Sequence, residues 1–346
     1  MSTRVEPAAP LGVSVEAAEL SAVKARGYLE GVWLRFRRDR LALFSLGVVI
    51  LLFLTAFAGA PLAAHLLGHG PNDIFPLFGV NQSDYVPVPP WTHVSLADYP
   101  GEPGHFGQTL FILGGADNVG HDMFLRLLYG AQTSLEVGVF ATVFSVSLGV
   151  IMGLVAGYFR GWVDTAISRL IEMTMVFPGL LLIIGIYIVA GPQLNNITVG
   201  GIIRPGVFTL VLIFSIFGWF YPARIMRGVV LSLREKEFVE AARMTGASDL
   251  RIMRSHLLPH LVAPIIVYSS ILVAGNILGE AGLSFIGLGI VPPTASWGNL
   301  LAQAPNYYNS DVWLVVLPGI AILLTTIAFN LLGDGLRDAF DPRSQV

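Results

Sequence analysis

Few residues in this chain have the type and spacing to do covalent chemistry. His65 and His69 stand four apart at the end of an apolar run, so both rings fall on one helix face and could share a metal. Two interfacial histidines are the plainer reading. Asp117, His121 and Asp122 form a second cluster, for which turn and capping roles outweigh metal ligation. No Gly-x-x-x-x-Gly-Lys-Ser/Thr phosphate loop, His-Glu-x-x-His pair or Gly-x-Ser-x-Gly elbow occurs. There is no cysteine, which removes thiolate metal sites, disulfides and a cysteine nucleophile. The expectation is a non-catalytic chain with no cofactor or metal of its own.

The elements that would carry these residues are membrane helices. Of 346 residues, 54% are apolar and 12% charged, about half the charge of a soluble domain, and mean hydropathy is +0.70. Crossing a hydrocarbon core takes roughly 20 apolar residues as helix. Six stretches approach that: Leu41 to Ala60, Ser134 to Phe159, Ile171 to Gly191, Val207 to Pro222, Leu261 to Gly279 and Trp313 to Gly333. The expected fold is all-α, with six transmembrane helices and the first retained as an anchor rather than cleaved. If the N-terminus is cytoplasmic, every Lys and Arg except Arg126 and Arg204 falls inside, which orients both termini inward. Trp33, Trp162, Trp219 and Tyr221 then sit near inner faces, and Trp297 and Trp313 near the outer face. Gly149, Gly153 and Gly157, at four-residue spacing, permit close helix contact. Pro178, Pro264 and Pro318 are expected to kink their spans.

Two connections are long. Residues 68 to 127, rich in Pro and Gly and carrying Asp73, Asp84, Asp98 and Glu102, read as a partly ordered extracytoplasmic cap. Residues 223 to 260 read as a cytoplasmic helix–turn–helix knob. Ser232 and Glu235 fit a capping box, and Phe238, Ala241, Ala242 and Thr245 share a face. Gly246 suits the left-handed closure of a helix. Ser248 and Asp249 suit a second helix start, and Leu250, Met253 and Leu257 form its apolar stripe. Pro259 disfavours helix at the residue before it.

Glu240-Ala241-Ala242, Gly246 and His256-Leu257-Leu258-Pro259, so spaced, resemble the loop motif of binding-protein-dependent ABC importer permeases. Histidine at 256 is similar to the peptide-importer branch (C-type subunit). So are Arg126-Leu-Leu-Tyr129-Gly130-Ala131, Ala281-Gly-Leu-Ser-Phe-Ile-Gly-Leu-Gly289, Pro292-Pro-Thr-Ala-Ser-Trp297-Gly-Asn299 and Asp334-Gly-Leu-Arg-Asp338. Gly115-Ala-Asp117-Asn-Val-Gly120-His-Asp122 matches less closely, since usual members have threonine near Ala116 and arginine near His121. The resemblance implies a heterodimer with a paralogous permease, two ATPase subunits binding ATP and magnesium, and an extracytoplasmic solute-binding protein. It also implies coupling to the ATPase through Glu240, Ala241, Ala242, Gly246, Ser248, Asp249, Leu258 and Pro259. The branch moves dipeptides and oligopeptides, and also nickel, glutathione or oligosaccharides.

The expected division is a cytoplasmic segment over 1–40, the first transmembrane helix over 41–67 and the extracytoplasmic loop over 68–127. The permease core follows over 128–333, with its coupling loop at 223–260, and a cytoplasmic tail over 334–346. Tyr268, Ser269, Asn276, Glu280, Thr325 and Asn330 are the polar residues placed to line a translocation path, or else to bond between helices. A nucleic-acid partner is not expected, because Glu235, Glu237, Glu240 and Asp249 offset the basic residues of the knob. An ion-coupled secondary transporter is disfavoured: Glu136, Glu172 and Glu280 all fall near expected span ends.

Overall fold

The computed structural model describes residues 28–77, 79–83, 85–95, 108–194, 204–307, 309 and 311–341. Arg4, Lys24, Arg26, Asp84, Asp98, Glu102 and Arg343, used above for charge placement, lie outside the described residues. The membrane part is all-α. Helix α1 spans Tyr28–Phe36, α2 Arg40–Leu67, α3 Met123–Tyr158, α4 Trp162–Val176 and α5 Gly179–Leu194. Then come α6 over Val207–Gly218, α7 over Phe220–Leu233, α8 over Glu237–Met244 and α9 over Asp249–Phe285. The last two are α10, Trp297–Gln303, and α11, Trp313–Phe340.

Among the described residues, α2, α3, the α6–α7 run, α9 and α11 are each long and apolar enough to cross a membrane. The expected third span is not a single kinked helix. It is broken between α4 and α5, which meet at 86°. Proline at 178 disfavours helical backbone at the residue before it, and Phe177 sits extended at ψ 136°. The pair makes a sixth crossing if it serves as one broken span. By contrast α9 runs through Pro259, because a widened π turn over Ile252–Leu257 precedes it and proline falls in the first turn of the α-helical stretch Leu258–Phe285 that follows.

Helix α3 is the central post. It packs along α7 through the glycine row: a Cβ at Gly149 would lie 2.6 Å from Pro222 Cβ, one at Gly153 2.5 Å from the Ala223 carbonyl, and one at Gly157 2.7 Å from Val230 Cβ. Only hydrogen fits at these three positions, so the expected close contact is present. Helix α2 lies on α11, with Gly335 against Ala42, and Asp39 caps α2 by accepting from the Leu41 and Ala42 amides at 2.9 and 3.1 Å. Trp297 and Trp219 are packed inside the bundle rather than at an interface, and the Trp297 indole donates to the Leu127 carbonyl at 3.1 Å. Trp33, Trp162, Trp313 and Tyr221 are exposed.

Among its described residues, the cap carries two short antiparallel ladders, β1 (Val80–Asn81) with β2 (Val86–Pro87) and β3 (Thr92–Ser95) with β4 (Gln108–Phe111). Val94, Phe75 and Phe111 close a small core over the cap end of the bundle. The histidine pair does not assemble: His65 is exposed, while His69 is buried and meets Asp122 at 3.0 Å and the Thr109 hydroxyl at 3.2 Å. Asp122 caps α3 by accepting from the Phe124 and Leu125 amides at 2.7 and 3.1 Å. Asp117 organises a turn through the amides of Val119 and His121. Both aspartates therefore have the turn and capping roles read from the sequence.

Candidate functional site: the helical knob at 234–258

At the end of the bundle opposite the cap, α7 gives way to a three-residue turn, the short helix α8, a glycine turn and the start of α9. The expected capping box does not form. The Ser232 hydroxyl instead donates back to the Val229 carbonyl at 2.8 Å, and Glu235 pairs with Arg160. Residues 232 and 233 still belong to α7, so the start of α8 shifts to Glu237, with Lys236 as the non-helical flank. Glu237 and Glu240 place acidic charge at the positive end of this helix.

The helix closes where the sequence placed its end. Gly246 stands at φ +81°, its amide donates to the Arg243 carbonyl at 2.9 Å, and the Ala247 amide reaches the Ala242 carbonyl at 3.0 Å. This paired pattern is the Schellman closure, which requires a left-handed residue just past the end of the helix, here Gly246. Only glycine takes that conformation without a Cβ–carbonyl conflict. Ser248 follows in extended backbone and starts α9, although its side chain makes no capping bond. Asp249 stands in the first turn, facing the positive helix end as expected, and its carboxylate is also engaged across the bundle.

That engagement involves Tyr158, the last residue of α3. Its phenol donates to Asp249 Oδ1 at 2.5 Å, while the Arg243 guanidinium lies 5.4 Å over the centre of its ring. One aromatic side chain therefore grips both knob helices at once, by a charge-assisted hydrogen bond and a cation–π contact. Beneath it, Val239, Ala242, Ile252, Met253 and Leu257 pack against Val150, Met226 and Val230 of α3 and α7. Arg234 Nη1 donates to the Gly157 and Tyr158 carbonyls at 3.2 and 2.8 Å, satisfying the last turn of α3. Burial and the neighbouring Arg160 and Arg243 charges lower its pKa from the usual arginine range. Arg227 binds Asp164 of α4 with two nitrogens, at 2.5 and 2.8 Å. The knob is thus a rigid projection of α3, α7 and α9.

Its buried and exposed faces differ from the simple stripe. Val239 and Ala242 point inward, Phe238 is half-buried, and Ala241 and Thr245 are exposed. Met253 and Leu257 are buried, but Leu250 is 70% exposed and Met244 87% exposed, with Glu240 and Ser248 beside them on the outer surface. Of the remaining motif residues, Leu258 is half-buried and Pro259 exposed.

The six polar residues placed along a path are not gathered onto one surface of this chain. Asn276 Nδ2 donates to the Thr142 hydroxyl at 3.0 Å across α9 and α3. Ser269 and Thr325 bond to carbonyls of their own helices at 2.7 Å. Tyr268 lines a groove of about 450 Å³ with Ile225, Pro264, Val267 and Arg337, and Asn330 is exposed. Glu280 is fully buried. Its two oxygens accept from the Ser134 and Ser284 hydroxyls, each at 2.7 Å, joining α9 to α3. Glu136 lies well inside α3 rather than near its end, because the helix starts at Met123, earlier than its apolar run. Tyr158, Asp164 and Ser134 were missed from sequence, because their partners lie on helices distant along the chain.

An all-α bundle with a capped, braced knob at one membrane face is the form of a transporter permease, and sequence comparison agrees. The family described as "Binding-protein-dependent transport system inner membrane component" matches residues 149–346, and "N-terminal TM domain of oligopeptide transport permease C" matches residues 27–83. The chain belongs to the ABC importer permeases, in the peptide and oligopeptide C-type branch. It is 37% identical over 311 residues to the glutathione transport system permease protein GsiD of Escherichia coli O6:K15:H31, covering 90% of this chain and 89% of that one. It is 40% identical over 229 residues to the dipeptide transport system permease protein DppC of Alkalihalophilus pseudofirmus, covering 66% of this chain and 71% of that one. An inward-facing structure of the MetNI methionine ABC transporter superposes with a TM-score of 0.51 at 15% identity, covering 63% of this chain and 98% of that one, a likeness of fold alone.

Proposed function

We propose that this permease carries peptides, dipeptides or oligopeptides, inward across the plasma membrane, with the knob at 234–258 seated in an ATPase subunit. In this reading both termini and the knob are cytoplasmic and the cap at 68–127 is extracytoplasmic, as the distribution of Lys and Arg favours. A paralogous permease completes the pathway, two ATPase chains bind ATP and magnesium, and a solute-binding protein delivers substrate from the cap side. Relatives named for dipeptide and glutathione transport support a peptide-type cargo.

The observation that carries the coupling role is the double grip of Tyr158 on Arg243 and Asp249. A knob that must convert ATPase closure into helix movement has to be stiff, and it has to offer a surface. Stiffness comes from the glycine closure and the braces; the surface is Glu240, Ala241, Met244, Ser248 and Leu250. Displacing the knob then moves α3, α7 and α9 as levers. Tyr268, Ser269, Asn276, Thr325 and Asn330 are proposed as residues near the route, whereas Glu280 serves it by fixing α9 to α3.

The test is co-expression with the partner subunits, reconstitution, and substrate-stimulated ATP hydrolysis with a peptide panel against glutathione, nickel and oligosaccharides. Stimulation by peptides and their inward uptake is the expected result. Stimulation by nickel or sugars alone would reassign the cargo, and uptake without ATP would remove the ABC mechanism.

A further inference from the structure

The cap presents an aromatic edge with an unusual backbone. Among the described residues, two non-glycine residues have positive φ: Tyr85 at 55° and Trp91 at 63°. A bulky side chain is strained in the left-handed region, and such strain concentrates at functional sites. In both cases the result is an exposed ring, with Tyr85 67% and Trp91 69% exposed. Each backbone closes a turn, the Tyr85 amide donating to the Asn81 carbonyl at 2.9 Å and the Trp91 amide to the Phe111 carbonyl at 2.8 Å, while neither ring is packed away.

The position of this edge relative to the membrane follows from its neighbours. Pro89 and Pro90, which lead directly into Trp91, line a groove of about 420 Å³ whose other wall is Asp311, Val312 and Trp313. Trp313 is the first residue of the membrane-crossing helix α11 and is itself half exposed. The groove is therefore level with the membrane boundary, where Trp and Tyr rings are most stable. Residues 74–95 carry one charged side chain, Asp84, which is too few for a solvated loop of that length.

We infer that this edge of the cap, led by Trp91 and Tyr85, is seated in the headgroup region of the leaflet that α11 enters, with lipid as its permanent occupant. A soluble partner that binds and leaves in each cycle would return these apolar rings to water between encounters. Lipid does not leave. The seat would keep the cap at a fixed height over the bundle, to which His69 and Asp122 already tie it. The inference rests on membrane insertion of α11 and not on the cargo or the coupling role, so each can fail without the other.

Because the chain has no cysteine, a spin label can be attached at Trp91→Cys or Tyr85→Cys in the assembled transporter, with cysteines of the other subunits replaced. In nanodiscs without binding protein, the label should collide several-fold more often with oxygen, which concentrates in lipid, than with a water-soluble nickel chelate. A label that meets the chelate freely and is shielded only when binding protein is added would overturn the inference in favour of a docking surface. A label shielded from both reagents in the assembled complex would overturn it in favour of contact with the second permease. If either substitution blocks assembly, the other position is read alone.

Discussion

The phenol of Tyr158 at the end of α3 donates to the carboxylate of Asp249 at the start of α9, across 91 residues of chain, with 2.5 Å between the oxygens. Arg243 of α8 covers the same ring. A hydrogen bond to a charged group contributes about 1.5–3 kcal/mol, so Tyr158→Phe should loosen the knob while preserving the ring that Arg243 covers. Hydrogen exchange over residues 237–257 should quicken by roughly tenfold or more, membrane insertion should be normal, and substrate-stimulated ATP hydrolysis should fall. Unchanged exchange in this segment would contradict the bracing role.

The glycine row predicts a packing defect that leaves chemistry untouched. Gly153→Val would drive a side chain into the Ala223 carbonyl and separate α3 from α7. Overpacking of this kind costs about 1–3 kcal/mol, read as a lower melting temperature in detergent. Gly228→Val, where no atom lies within 4 Å of the added Cβ, is the matched control and should change little.

Glu280 should behave as a tie. Glu280→Ala leaves the Ser134 and Ser284 hydroxyls buried without their acceptor, at about 1–3 kcal/mol for an unsatisfied buried group. Glu280→Gln keeps the volume and an acceptor oxygen. Thermal stability should therefore fall more for Ala than for Gln, and a greater loss for Gln would argue that the charge itself is used.

The cap carries a pH dependence of known sign. Burial alone would raise the Asp117 carboxyl, but the hydrogen bond and charge of His121 outweigh it and hold the carboxyl below the usual carboxylate range. A depressed carboxylate contributes stability above its unfolded pKa of about 4 and loses it as pH falls through the folded value. Acid exposure should quicken hydrogen exchange over residues 115–122, and His121→Gln should shift that onset to higher pH.

The sequence was most readable where one residue type has one physical use. Glycine at 246 announced a left-handed closure and the row 149, 153 and 157 a close helix contact, and both are present. The apolar runs located the spans but not their ends, because a helix continues past its apolar run, α3 from Met123 into turns buried under the cap and α9 from Asp249 into exposed turns of the knob. Pro178 was read as a kink and proved a break, since nothing in the sequence gives the angle between α4 and α5. The Ser232–Glu235 capping pattern failed because α7 still occupied Ser232 and Arg160, distant in sequence, took Glu235. Tyr158 could not be assigned a partner from sequence at all, because its bonds depend on how α3, α8 and α9 meet.

The most direct test of the coupling role is uptake and ATP hydrolysis by the reconstituted transporter carrying Gly246→Val. Nothing within 4 Å obstructs a side chain there, so the effect is confined to the backbone, at about 1–2 kcal/mol for a left-handed β-branched residue. Insertion should be normal, co-purification with the ATPase subunits weakened and uptake mostly lost, with Glu240→Ala giving a milder loss of association. Full uptake and full substrate stimulation with Gly246→Val would contradict the assignment of this knob as the coupling element.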